Sequence, residues 1–152
     1  MYTLNKILTL QELFATNHLQ INDFVFDQEY SYETKPSLKY PLLWADLESS
    51  DINEIKGSAV WEDNFVFNIA CVDLVREDKS NEREVLSDCK LMLNDFLIHF
   101  RQTDFAEYLV VDPITTMSPI RMSGQDLTSG WGCKMKFKFI TDPDLCGIPN
   151  KK

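Results

Sequence analysis

Few of the residues that break regular structure are present: the 152-residue chain holds 5 Gly and 6 Pro. That scarcity excludes a collagen-like fibre and a Gly-rich linker, and a hydrophobic fraction of 44% excludes a disordered tail. No apolar run comes near the roughly 18 residues that span a bilayer as a helix. Met1 opens onto Tyr2-Thr3-Leu4-Asn5-Lys6, not onto a basic segment followed by an apolar one, so neither a membrane segment nor a secretory leader is expected. Cations are in the minority, with 15 Lys and Arg against 24 Asp and Glu and a net charge of −9. Such an acidic body repels phosphate backbones and disfavours tight or sequence-specific DNA binding.

Catalytic signatures are missing as well. There is no Gly-x-Ser-x-Gly, no Gly-rich phosphate loop ending in Lys-Ser/Thr and no His-Glu-x-x-His. Cys89 and His99 are not a nucleophile and its base, because ten residues on one helix place them about 15 Å apart along the axis. His18 and His99 fall near the ends of predicted helices, where the helix dipole favours a cation, so both have a structural reason to be there. Asp142-Pro143-Asp144, and Asp104 with Glu107, fall short of the alternating oxygen ligands, sharp-turn Gly and distal Glu of a calcium loop. The four cysteines, Cys71, Cys89, Cys133 and Cys146, form no Cys-x-x-Cys pair and no metal-ligand spacing. Two disulfides would suit an oxidising compartment. The apolar settings of Cys71 and Cys89 favour buried reduced thiols and a cytosolic protein. No catalytic, cofactor-binding or metal-ligating residue is therefore expected.

What the sequence does contain is periodicity. Leu4, Ile7, Leu8, Leu10, Leu13 and Phe14 predict a helix ending near Asn17-His18, with Thr9-x-x-Glu12 as an alternative start. Phe24-Val25-Phe26 predicts a strand ahead of an acidic, aromatic loop. Tyr40 to Asp46 predicts a second strand. Ile52 to Trp61 is weaker, with Gly57 at a bend or bulge, and Glu62-Asp63-Asn64 predicts a turn. Phe65 to Val75 is apolar on both faces, as a central strand covered on both sides would be. Asn81-x-x-Glu84 resembles a capping box. Val85, Cys89, Met92, Leu93, Phe96, Leu97 and Phe100 then form one apolar stripe, the mark of a long helix lying on a sheet. Ala106 to Asp112 predicts a strand halted by Pro113, Met117 to Met122 an edge strand, and Gln125 to Gly132 a turn-rich loop. Cys133, Met135, Phe137 and Phe139 alternate with Lys134, Lys136 and Lys138 in a last strand. The order predicts one α+β domain over 1–141 and an extended tail over 142–152. Its antiparallel or mixed sheet of about five or six strands carries a long helix and an N-terminal helix packed on it.

Two features suit contact with other molecules. Lys134, Lys136 and Lys138 form a basic comb able to meet an acidic neighbour or DNA phosphates, although a solvated strand face guarded against edge pairing looks the same. Tyr30, Tyr32 and Trp131 are large amphipathic side chains of the kind enriched at interfaces, and they equally suit the rim of a core.

Three stretches carry a family resemblance. They are Asn17-His18-Leu19-Gln20-Ile21-Asn22-Asp23-Phe24 with Tyr40-Pro41-Leu42-Leu43-Trp44-Ala45-Asp46; Phe65 through Asp73 to Glu84-Val85-Leu86-Ser87-Asp88; and Ser129-Gly130-Trp131-Gly132-Cys133 with the lysine-combed strand and Asp144-Leu145-Cys146. Taken together they resemble tail-terminator or tail-completion proteins of tailed phages, including those of Bacteroidetes hosts and the crAss-like group. The resemblance implies a tail-terminator-like fold and a non-enzymatic virion subunit of the neck or tail. Such a subunit closes with copies of itself into a six- or twelve-fold ring. The ring touches portal, connector or other tail ring proteins and leaves a lumen through which DNA passes without specific binding. A different class also fits the composition: a small acidic cytosolic adaptor or inhibitor that binds a basic protein.

Overall fold

The computed structural model describes residues 3–27, 37–57, 60–102, 109–123 and 126–141. Thr3 caps the first helix, α1 (Leu4–Asn17), its side chain accepting from the Lys6 amide at 3.2 Å. The helix ends where the His18 amide donates to the Phe14 carbonyl. Thr9 lies inside α1 and bonds back to the Asn5 carbonyl, so the start is Thr3 and not the alternative at Thr9. Strands β1 (Asp23–Phe26), β2 (Leu42–Glu54) and β3 (Trp61–Leu74) follow, then α2 (Glu82–Gln102), β4 (Leu109–Ser123) and β5 (Leu127–Thr141).

The five strands form one sheet in the order β1-β2-β3-β5-β4. β1 and β2 are parallel and every other neighbouring pair is antiparallel, which makes the sheet mixed. The α+β architecture with both helices packed on the sheet is the expected one, and β3 is its central strand. On one face α1 and α2 cover Leu43, Ala45, Phe67, Ile69, Cys71, Cys133, Met135, Phe137 and Phe139. The predicted stripe of α2, from Val85 to Phe100, is buried throughout. Edge-to-face aromatic pairs knit the layers, with Phe14 on Phe96 at 5.1 Å and Phe100 on Phe137 at 5.4 Å. On the other face Val25, Leu42, Trp44, Ala70 and Val72 form a smaller cluster under Leu38, Tyr40, Ile120 and Met122, with no helix residue among them. The sheet is therefore covered by helices on one side only.

Several boundaries differ from expectation. Glu62-Asp63-Asn64 is not a turn but the start of β3, paired with Asn53-Ile52-Asp51 on one side and Ile140-Phe139-Lys138 on the other. Strand partners on both flanks outweigh the local turn preference of Asp and Asn. The turn lies nearer Gly57, whose φ of +83° suits glycine. Ser129-Gly130-Trp131-Gly132 likewise runs as strand within β5, against Asp73 to Ala70. Pro113 does not halt the chain: β4 continues through Pro113 and Pro119, with an irregularity between Ile114 and Ser118. Both prolines are tolerated because β4 is a sheet edge, where one backbone flank needs no donor. Asn81 does not cap α2 in the predicted way. Its side chain accepts from the Arg76 amide at 2.8 Å and donates to the Leu74 carbonyl, tying the helix start to the end of β3.

Candidate assembly surfaces

On the face without helices, strand register sorts the charges into lanes. Asp46, Asn68 and Lys134 share one row across β2, β3 and β5; Ser49, Val66 and Lys136 share the next; Asp51, Asn64 and Lys138 the third. β2 thus carries an acidic lane and β5 a basic one, about 10 Å apart across β3. The expected lysine comb is one half of this pattern. A register shift between Leu47 and Ser49 frees Glu48 from the alternation, and its carboxylate accepts from the Lys134 ammonium at 2.8 Å. Exposed on both sides, such a pair contributes about 0–1 kcal/mol. Asn64 is buried and donates to Asp51 at 2.6 Å, locking the third row. Beside the lanes lies an open trough of about 440 Å³ lined by Trp44, Ala70, Ile120 and Gly132, with Lys134 on its border.

The opposite side of the molecule differs in kind. Its outermost element is α2, where Glu84, Asp88, Leu91, Asp95 and Ile98 are exposed. Leu91 and Ile98 are 57% and 51% exposed, although the inward face of the helix is fully packed. His18 binds Asp95 at 3.0 Å through Nε2, and its Nδ1 accepts from the Gln20 amide, which assigns the hydrogen to Nε2 in the neutral ring. His99 lies against Phe14 and Phe100, and burial holds its imidazole below the ordinary value.

Trp131 is not gathered with the lysines. It sits half-buried on the helix side, donates to the Leu86 carbonyl at 2.8 Å and lies under the Lys90 ammonium. Tyr30 and Tyr32 lie outside the described residues, as do Cys146, the Asp142-Pro143-Asp144 segment, Asp104 with Glu107, and the 142–152 tail. Sequence reasoning missed the acidic lane of β2 and the outer stripe of α2. The first depends on pairing that no local pattern reveals. The second was visible as a four-three spacing.

Chemically reactive groups are muted. Burial pushes the Cys89 thiol up to about 12 and the Cys133 thiol up to about 11, and raises Cys71 well above its ordinary value. All three are free, buried thiols. Among the described residues no three His, Cys, Asp or Glu side chains gather where they could hold a metal ion. Among the same residues, no helix is long and apolar enough to cross a membrane. No protein-family model matches the chain, and no curated protein does. What the surfaces can do is dock: they offer two unlike charged faces on opposite sides of a rigid sheet.

Proposed function

We propose that the chain is a structural subunit of a phage head–tail or tail ring, working by contact between copies and not by catalysis. The observation that carries this is the one-sided covering of the sheet. A closed ring built from identical copies needs two different, complementary patches on each. One side of this molecule ends in the acidic outer surface of α2, and the other is bare sheet with a lysine lane on β5. Buried, protonated thiols support a non-enzymatic role. The resemblance carried by residues 17–24, 40–46, 65–88 and 129–146 supplies the setting.

The test is negative-stain microscopy of the purified chain, alone and mixed with virion ring proteins, together with mass spectrometry of purified particles. Closed rings and a fixed copy number per particle are expected. A monomer that never co-assembles and is absent from particles would overturn the proposal, and a soluble one-to-one complex with a basic protein would point to an adaptor instead.

A further inference from the structure

We infer that successive copies join by laying the outer stripe of α2 from one copy onto the β5 lysine lane of the next. This rests on the ring proposal and names its contact. In α2 the residues Glu84, Asp88, Leu91, Asp95 and Ile98 follow one another at intervals of four, three, four and three. At about 100° per residue that spacing holds all five within about 80° of the helix circumference. Arg83 and Arg101 fall to one side, so the stripe itself bears three carboxylates, two aliphatics and no base.

The receiving surface matches it in sign and in length. Lys134, Lys136 and Lys138 point from β5 to the face without helices, and Ile140, 45% exposed, is next in the same alternation. From Glu84 to Ile98 a helix rises about 21 Å, and from Lys134 to Ile140 a strand advances about 20 Å. Three carboxylates and two aliphatics can therefore meet three ammonium groups and an aliphatic side by side. Within one copy they never meet, because α2 packs on one face of the sheet and the lysines leave the other. The contact is between copies. Its two surfaces are unlike, so it is heterologous and repeats head to tail until it closes.

Full-length variants test this by sedimentation velocity and mass photometry, with circular dichroism to verify the fold. Asp95 and Lys134 are left unchanged, because they bond His18 and Glu48. The double variants Glu84→Lys with Asp88→Lys, and Lys136→Glu with Lys138→Glu, each place like charge against like charge. Each is expected to weaken assembly about 100-fold or more. The two doubles mixed together should assemble in alternation, and a chain carrying all four changes should assemble alone. Leu91→Ser with Ile98→Ser, at exposed positions that leave the core intact, should weaken assembly about 10-fold. Wild-type rings unmoved by all these changes would refute this contact while leaving the ring itself standing. A wild-type chain that stays monomeric at every concentration refutes the ring, and this contact with it.

Discussion

Gly130 and Gly132 occupy neighbouring outward positions of β5, yet replacing each with alanine should have very different consequences. A Cβ at Gly130 would lie 1.9 Å from the Cys71 carbonyl oxygen and 2.8 Å from both the Cys71 carbonyl carbon and the Val72 Cα. All three atoms are backbone of the central strand, so relief requires β3 and β5 to separate where their ladder is fully paired. Overpacking of this kind costs about 3 kcal/mol or more. For a domain of this size that is a fall in Tm of about 6–12 °C. A Cβ at Gly132 meets instead the Ile120 Cδ1 at 2.8 Å, the end of a side chain that can rotate away into the adjoining trough. The alanine also restricts the unfolded chain, which favours folding by about 0.4–1 kcal/mol, so Gly132→Ala should stay within about 1 kcal/mol of the parent. Thermal and urea unfolding of both variants decide the matter. If Gly130→Ala is as stable as Gly132→Ala, the close approach of β5 to β3 is wrong.

Three further outcomes follow from buried groups. Gln11 is fully buried on α1 with neither amide atom hydrogen-bonded, so Gln11→Leu should stabilise the fold by about 1–3 kcal/mol in urea titrations, and a loss of stability would show that the amide is satisfied. With its thiol at about 12, Cys89 carries only about one thiolate in ten thousand at pH 8. Iodoacetamide should therefore spare Cys71, Cys89 and Cys133 in the native protein and label them in urea; native labelling of Cys89, read by peptide mass spectrometry, would contradict this. His99 is held below its ordinary 6.5 by burial, so the unfolded chain binds its proton more readily and stability should drop as pH falls through about 6.5. His99→Gln should flatten the Tm profile between pH 7.5 and 5.5, whereas an unchanged slope would remove His99 as its source. Asp63 and Asp73, raised by burial, act in the opposite sense only nearer pH 4.

The sequence was most legible where burial alone sets the period. The seven apolar residues of α2 are buried together, and the Cys133 to Phe139 alternation faces the helices as its period of two requires. Legibility failed where remote partners overrode local chemistry. Glu62-Asp63-Asn64 and Ser129-Gly130-Trp131-Gly132 are turn formers by composition, yet each is flanked by strands on both sides. Pro113 reads as a stop, but an edge strand has a backbone flank on which a missing donor costs nothing. Of the candidate surfaces, the lysine comb was visible from its spacing. Its acidic counterpart on β2 was not, because Asp46 and Asp51 share a face only through the register shift at Glu48. The stripe from Glu84 to Ile98 gained meaning only once the inward side of α2 was seen to be full.

The account stands on copies of this chain meeting through unlike sides, and mass photometry across a concentration series at low and high salt measures that most directly. A single closed species of fixed copy number is expected, loosening as salt screens the carboxylate–ammonium contact. A mass equal to one chain at every concentration and in the presence of virion ring proteins would contradict it.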